Sequence, residues 1–290
     1  MNSITPLQVD FLRLLGVTGF ATNAHISQME IGTPKNSKHY LTKTLLEGLL
    51  IGRVMIAAPF GMGRKVMYYL TKKGAALLAE LDGLDLAEIS YTTHKGGIQR
   101  AQDGGEVSII RADFQHKERY ICAFLALRKY LENTDYEINQ AYHYYQLAGD
   151  RGTTLELDGR NFRPDGIVFN KATTPKKPTY AYVLEIHRHS DRKRIIQQLR
   201  QHVHAFQAGS MAARFGIDYP YFVLSIFTAE NTAVMRSVIE ELQTDPDTWA
   251  YMRKLFMFAE LGELMDDFYG ACLYFGGEKK PIPPKINIWF

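Results

Sequence analysis

FRPDGIVFNKATTPKKPTYAYVLEIHRH, residues 162–189, consists of two apolar stretches separated by a connector rich in lysine and proline. Each stretch has the composition of a buried strand, and each carries one acid, Asp165 in the first and Glu185 in the second. Alternation over residues 179–187 places Glu185 and His187 on the same face of the second strand. Two desolvated carboxylates that lie close together repel each other unless a cation or a proton neutralises them. The segment therefore predicts two neighbouring strands that bring a pair of acids into one site.

The residues around this segment predict a mixed α/β (α+β) fold. Residues 116–132 have the apolar spacing of an amphipathic helix, and a basic helix is expected over residues 190–209. Strands are expected at 136–146, 153–158, 162–169, 179–187 and 219–227, and further helices at 231–243 and 247–264. The order helix, antiparallel strands, helix, then strand and helix is typical of helices packed around a mixed sheet. Residues 113–290 are therefore predicted to form one domain, which includes the C-terminal helices and tail.

Residues 1–82 have the pattern of a winged helix-turn-helix. Helical segments at 5–16, 21–30 and 35–50 precede two strand-like segments that flank a Gly/Pro turn, and a last helix closes the unit. In this fold the third helix enters the major groove and the wing reaches the DNA backbone. The predicted DNA-binding side chains here are Lys35, Asn36, Lys38, His39, Lys43, Arg64 and Lys65. The alternative is a winged helix that contacts protein. Residues 83–112, rich in Gly, Asp and Thr, are predicted to be a linker.

Composition and charge exclude several classes of protein. Hydrophobic residues make up 46% and charged residues 22% of the 290 positions, which is typical of globular domains. No apolar run reaches the roughly 18–20 residues that span a bilayer, and the N-terminus lacks the features of a signal peptide, so a cytoplasmic location is expected. The 2 cysteines are too few for a disulfide framework or a Cys-based zinc site. Net charge is only +3, but Lys and Arg cluster in four segments, which favours an anionic partner such as nucleic acid over ordinary solvated faces.

The paired acids predict a site for Mg²⁺ or Mn²⁺, because hard divalent cations take oxygen ligands. A cation bound by Asp165 and Glu185 could position a phosphodiester and stabilise its extra negative charge. His187 could then orient or deprotonate the nucleophile. Arg188, Arg192 and Lys193 are candidates to hold DNA phosphates, with a solvated helix start as the alternative.

The motif Pro164-Asp165 followed by Glu185-Ile186-His187 resembles that of the PD-(D/E)xK nucleases, with histidine in place of the usual lysine. With the winged-helix pattern, His116 at a helix start, and Gln198 and His202 one helical turn apart, the chain resembles the replication-relaxation family, which includes MobC-type plasmid mobilisation relaxases. The resemblance covers most of residues 1–230.

This resemblance implies a restriction-endonuclease-like domain and a metal-dependent single-strand nick at an origin of transfer or replication. Plasmid DNA and accessory mobilisation or replication proteins would be its partners. By position, Asp165 and Glu185 match the family's metal-binding acids, while His187 departs from the usual acid or lysine. Glu118 is a candidate third carboxylate, with a surface ion pair as the alternative. The candidate auxiliary residues are His116, Gln198 and His202.

Three alternatives stay open from the sequence. The first is a DNA-binding replication or transcription regulator that keeps a nuclease fold without turnover. The second is zinc held by histidines at 187, 189, 202 and 204, although an i, i+2 pair on a helix points apart. The third is a covalent mechanism through one of the tyrosines at 120, 142, 144 and 145. The Pro-rich tail, residues 276–290, is predicted to be an extended arm or a partner-binding segment.

Overall fold

A computed structural model describes residues 4–29, 37–57, 64–92, 98–100, 106–108, 113–145, 152–174, 179–216, 221–274 and 278–279. The chain divides into two compact units, Met1–Ile121 with Tyr145–Gly152, and Cys122–Tyr144 with Thr153–Phe290. The described residues form a mixed α/β fold with a mixed sheet, which confirms the predicted class. No helix among these residues is both long and apolar enough to cross a membrane. Lys35, Asn36 and most of the tail lie outside the described residues.

The first unit combines helices with a small antiparallel sheet. Its elements are α1 (Pro6–Thr18), β1 (Ala21–Thr22), α2 (Asn23–Gln28), α3 (Ser37–Glu47), β2 (Ile51–Ala57), β3 (Arg64–Leu70), α4 (Lys72–Asp82), β4 (Ile98–Arg100) and β5 (Glu106–Ser108). Strands β1, β3 and β2 pair in that order, and β4 pairs with β5. Leu41 and Leu45 are buried on the inner face of α3, which packs against α1 and β2.

Threonine caps explain where α1 and α2 begin. Thr5 accepts a hydrogen bond from the Gln8 backbone, while the Gln8 side chain accepts one from the Thr5 backbone. Thr22 and His25 form the same reciprocal pair at the start of α2. Such capping boxes satisfy backbone N–H groups that have no partner within the helix. Because the cap uses only residues three positions apart, it is local information that the sequence carries directly.

Part of the predicted linker belongs to the first unit. Ile89, Ser90 and Thr92 are buried, and the Thr92 backbone donates to the Leu70 carbonyl at 2.9 Å. The first unit also extends to Ile121, beyond the boundary predicted at residue 113. The physical reason is that residues 114–132 form one continuous helix, and helical periodicity does not reveal where along a helix the packing partner changes.

The second unit is built around the mixed sheet. Its elements, including the helix that begins in the first unit, are α5 (Phe114–Glu132), β6 (Tyr136–His143), β7 (Leu155–Leu157), β8 (Arg160–Phe162), β9 (Gly166–Ala172), β10 (Tyr180–His187), α6 (Arg192–Gln207), α7 (Ser210–Phe215), β11 (Tyr221–Phe227), α8 (Thr232–Gln243), α9 (Pro246–Leu255), β12 (Phe256–Glu260), α10 (Leu261–Asp266), α11 (Phe268–Ala271), β13 (Leu273–Tyr274) and β14 (Glu278–Lys279). The strand order is β14-β13-β12-β11-β10-β9-β6.

Strand β10 lies inside this sheet and is buried along its whole length. It pairs antiparallel with β9 and parallel with β11, and β9 pairs antiparallel with β6. Ala181 and Val183 join the core formed with α6 and α8, whereas Tyr182 meets Phe268 at a centroid distance of 6.1 Å. A parallel pair needs a crossover connection, and α6 and α7 provide it between β10 and β11. The alternation of β10 therefore assigns its odd-numbered residues to the face under α6.

Two predicted elements are wrong in outline. The helix expected over residues 247–264 is interrupted by β12, whose run Phe256–Ala259 is buried between β11 and β13. An apolar run that is buried on both faces has no period that distinguishes strand from helix.

The strand expected over residues 162–169 is split into β8 and β9. The break contains Pro164, which has no N–H to donate to a ladder. β8 instead pairs with β7 across a turn in which Asp158 and Gly159 have φ of 51° and 72°. Asp165 consequently stands directly before β9 rather than within a strand.

Candidate functional site

Asp165 is anchored to the backbone of β10 and to the backbone of the residue that follows β6. Its Oδ2 accepts a hydrogen bond from the Ile186 backbone at 2.7 Å, and its carbonyl accepts one from the Tyr144 backbone at 3.0 Å. Gly166 is the first residue of β9 and forms the last pair of the β9–β10 ladder, opposite Leu184. The next position on each side of this ladder is occupied by Asp165 and Glu185. Asp165 is 8% exposed. The end of the β9–β10 ladder therefore holds this carboxylate against the backbone of β10.

Glu185 is completely buried and both of its carboxyl oxygens have partners on α6. Oε1 lies 2.7 Å from His202 Nε2, and Oε2 accepts a hydrogen bond from the Gln198 amide. These two partners are four residues apart and so lie on the same face of the helix. Burial raises the pKa of Glu185 well above its ordinary value, and the neighbouring Asp165 raises it further, against a lowering hydrogen bond from the Asp165 backbone. The negative form of this side chain therefore requires a compensating charge.

His202 is the buried partner of Glu185 and is held in place by aromatic rings. Its ring centroid lies 4.6 Å from that of Phe162, edge to face. Burial, with a smaller contribution from His187, lowers the pKa of His202 to about 3. Because burial disfavours the charged form of both groups, it favours a protonated Glu185 beside a neutral His202.

His187 is tied to a residue that sequence reasoning missed. Its Nε2 lies 2.8 Å from the Ser225 hydroxyl, and its ring packs on Phe227 with the centroids 4.6 Å apart. Ser225 is directly opposite Glu185 in the β10–β11 ladder and is 0% exposed. The sequence contained a signal for this residue, because Ser225 is the one aliphatic hydroxyl in the hydrophobic strand YFVLSIF.

The second unit therefore brings together the predicted residues of the acid site, Asp165, Glu185, His187, Gln198 and His202. Within the described part of the chain, no group of three or more His, Cys, Asp or Glu side chains is arranged to hold a metal ion. The acid pair nevertheless suits a hard divalent cation in its chemistry, since each carboxylate oxygen has two lone pairs and one can bind a cation while the other accepts a hydrogen bond.

Two of the predicted functional residues are bonded to each other. Lys65 Nζ lies 2.7 Å and 2.9 Å from the two carboxylate oxygens of Glu118, within the first unit. The ion pair is the alternative that the sequence left open for Glu118, and the roles of Lys65 on DNA phosphates and of Glu118 as a third metal ligand stay predictions. His116 Nδ1 lies 3.7 Å from Asp113 Oδ2, an arrangement that fits its position in the first turn of α5.

Two of the three predicted basic residues after β10 have protein partners. Arg192 Nε lies 3.1 Å from Glu241, and an Arg188 nitrogen lies 3.2 Å from His189 Nε2, whereas the side chain of Lys193 is exposed. In the zinc alternative, His204 would share a metal with His202, but its Nε2 instead pairs with Asp158 at 3.3 Å. His202 and His204 thus contact different acids, Glu185 and Asp158.

The outer face of α3 is polar and exposed. His39, Tyr40 and Lys43 are exposed on it, with Tyr40 at 67%, and Lys43 makes a loose 3.9 Å ion pair with Glu47. Lys38 is in α3 and Arg64 begins β3, but their side chains lie outside what the structure describes. Tyr40 was not among the predicted contacts, although a large aromatic residue beside two basic ones was a visible signal.

Searches against known protein families, curated proteins and solved structures found no match to this chain.

Proposed function

We propose that this protein is a metal-dependent DNA endonuclease that nicks one strand, of the relaxase type that acts at an origin of transfer or replication. The observation that carries the proposal is the pair of buried acids at the end of the β9–β10 ladder. Burial first, and then the charge of the neighbouring Asp165, raise the pKa of Glu185 well above its ordinary value. A perturbed pKa with a named charged neighbour is a recognised property of functional sites.

The topology of the second unit supports this proposal. Helix α5 is followed by the antiparallel strands β6, β9 and β10, then by α6 and the parallel strand β11. This is the order of elements that the sequence pattern predicted around its paired acids. It also puts Glu185 and His187 on the face covered by α6, where Gln198 and His202 meet them.

Asp165 and Glu185 are the residues that would hold Mg²⁺ or Mn²⁺. Their fit rests on charge, since two adjacent buried carboxyl groups, one with a raised pKa, favour a neutralising cation or proton. When bound, the cation would supply positive charge that stabilises the phosphodiester in its transition state. Gln198 and His202 would orient Glu185 by their hydrogen bonds, and His187 would contact the reacting phosphate or its nucleophile.

The first unit is proposed to bind the DNA as a winged helix. Its succession of α1, α2, α3 and the β2–β3 hairpin supports this fold, and the buried Leu41 and Leu45 orient α3 so that His39 and Lys43 are exposed. Arg53 on β2 is exposed as well and is a candidate phosphate contact on the hairpin. Exposed basic side chains on one helix and a hairpin match the way such folds contact the groove and the backbone.

A nicking assay on supercoiled plasmid tests the enzymatic proposal. We expect Mg²⁺- or Mn²⁺-dependent conversion to the open circular form by the intact protein, and its loss in Asp165→Asn and Glu185→Gln without loss of DNA binding. Asp158→Asn is the matched control, because it removes an exposed carboxylate from a turn of the same unit. Calorimetry that shows no uptake of either cation, with or without an oligonucleotide, would refute the metal site.

DNA binding is tested separately by fluorescence anisotropy as a function of salt. Lys43→Ala should weaken binding and reduce the slope of log affinity against log salt by about 1, as expected for one lost phosphate contact. Lys72→Ala, an exposed lysine on α4, is the control and should leave the slope unchanged. Equal effects of the two variants would argue against α3 as the contacting helix.

A second candidate function is a DNA-binding replication or transcription regulator without turnover. The observation that favours it is the closure of the site, because Glu185 is 0% exposed and both of its oxygens already have hydrogen-bond partners. Under this proposal the paired acids and histidines stabilise the fold. The two candidates differ in one result, since a regulator binds plasmid DNA but never nicks it with either cation.

A further inference from the structure

Ser225 places a buried hydroxyl on the face of the sheet that carries the acid site. It is directly opposite Glu185 in the parallel ladder, and directly opposite residues of neighbouring strands share a face. The side chain is 0% exposed, and its flanking residues Leu224 and Ile226 are buried too. Within the described residues, the hydrogen bond that engages this hydroxyl is the 2.8 Å contact to His187 Nε2.

The direction of this hydrogen bond follows from the chemistry of the two groups. A serine hydroxyl has one donor, and burying a donor without a partner costs more free energy than leaving one of its lone pairs unused. If the Ser225 O–H donates to Nε2, its only donor is satisfied. His187 then carries its ring proton on Nδ1. If Nε2–H donated instead, the hydroxyl proton would need a different acceptor.

We propose that Ser225 is a positioning residue that fixes His187 as the Nδ1–H tautomer. In this tautomer Nε2 is engaged by the Ser225 hydroxyl and Nδ1–H is a hydrogen-bond donor, and the group that a donor suits is an anionic oxygen such as that of a phosphodiester. The role of His187 toward DNA rests on the proposed nuclease function, whereas the tautomer itself does not. The hydrogen bond that one ring nitrogen makes sets the tautomer of a histidine, so the hydroxyl controls which ring nitrogen of His187 carries the proton.

Nitrogen NMR of the full-length protein, labelled with ¹⁵N-histidine, tests the tautomer without reference to activity. Long-range ¹H–¹⁵N correlations distinguish a protonated from an unprotonated ring nitrogen, and His187→Gln identifies the signals of that residue among the 9 histidines. We expect His187 of the intact protein to be protonated at Nδ1 and not at Nε2. A wild-type spectrum with the proton on Nε2 would overturn the proposal, whether or not the protein nicks DNA.

Variants separate this role from a general contribution to folding. Ser225→Ala should transfer the His187 proton to Nε2 in a large part of the population, and Ser225→Thr, which keeps a hydroxyl, should restore the wild-type pattern. Ser210→Ala is the matched control, because it removes another buried serine hydrogen bond of 2.8 Å, to the Glu156 carbonyl. An unchanged tautomer in a folded Ser225→Ala protein would contradict the assignment.

The nicking assay adds the functional measurement. If the proposed nuclease function holds, Ser225→Ala should lower kcat about five- to tenfold with little change in KM, the size expected from one lost hydrogen bond. Ser210→Ala should leave kcat unchanged. An Nδ1–H tautomer in a protein that never nicks would refute the nuclease function and uphold the role of Ser225. A wild-type kcat in Ser225→Ala would refute the functional importance of the tautomer.

Discussion

Replacement of Glu185 by glutamine should stabilise the metal-free protein at neutral pH. The carboxyl group is 0% exposed, and burial together with Asp165 raises its pKa in the folded state. Glutamine has nearly the same shape and stays neutral. Its carbonyl can accept from Gln198, and its amide can donate to His202, whose pKa is lowered to about 3 and whose ring is therefore neutral. The variant thus removes the titrating carboxyl group at position 185 and keeps hydrogen bonds to Gln198 and His202.

The sign and size of the effect follow from proton linkage. A group with a raised pKa in the folded state contributes its full stability below the unfolded pKa, here near the ordinary value of 4.5, and that contribution is lost as pH rises toward the folded pKa. One proton corresponds to a loss of at most about 1.4 kcal/mol for each pH unit in this interval. For a domain of 150–250 residues this is about 3–6 °C in Tm per pH unit.

His202 acts in the opposite direction. Its pKa is lowered, so its contribution is complete above the unfolded value of 6.5 and is lost as pH falls toward about 3. Because His202 is present in both proteins, its effect largely cancels when the free energies of unfolding are subtracted.

Urea unfolding followed by circular dichroism at pH 5, 6, 7 and 8, in the presence of a chelator, measures this difference. We expect the advantage of Glu185→Gln to grow with pH, and Mn²⁺ to reduce or reverse it by stabilising the ionised wild-type pair. Glu156→Gln, at an exposed position of the same unit, should give no pH-dependent difference. A constant difference between Glu185→Gln and wild type from pH 5 to 8 would refute the reasoning.

Three further predictions concern the first unit and are measured by urea unfolding of the full-length protein. Gly74→Ala should destabilise the protein by about 2–4 kcal/mol, because the new Cβ would lie 2.1 Å from the Leu50 carbonyl oxygen. A loss of stability below about 1 kcal/mol would argue against this packing. Leu49→Gly should stabilise the protein by about 0.5–1 kcal/mol, since Leu49 has φ of 57° and is 66% exposed. A loss of stability would indicate that the leucine side chain has a structural role. A double-mutant cycle between Lys65→Met and Glu118→Gln should give a coupling free energy of about 0.5–1 kcal/mol, a small value because Lys65 is partly exposed and solvent screens the ion pair. A coupling free energy of zero would contradict the ion pair.

Much of the local structure was predictable because the signals lie within short windows. The capping pair Thr22 and His25, three positions apart, marks the start of a helix. Alternation in residues 179–187 predicts both the strand and its two faces. The boundary between β8 and β9 was missed although Pro164 marks it, because the apolar residues on both sides resemble one strand. β12 was missed because a strand buried on both faces carries no alternation.

The candidate site was predictable only in part, for a different reason. Asp165, directly before β9, and Glu185, within the adjacent strand β10, are 20 residues apart, so their proximity followed from a single hairpin-like connection. The bonds of Lys65 to Glu118 and of His187 to Ser225 join residues 53 and 38 positions apart. Such contacts depend on which elements pack together, and no local pattern specifies that.

The amino-acid sequence alone determined most of the helices and strands, the two faces of β10 and the presence of two acids in neighbouring apolar stretches. Tertiary structure alone decides which side chains satisfy them, since strand order and register bring Ser225 to His187 and helix packing brings Gln198 and His202 to Glu185. The physical reason is the distance along the chain over which each interaction acts. Periodicity and capping act over a few residues, whereas the pKa of Glu185 and the tautomer of His187 depend on burial and partners that exist only once the sheet and α6 have assembled.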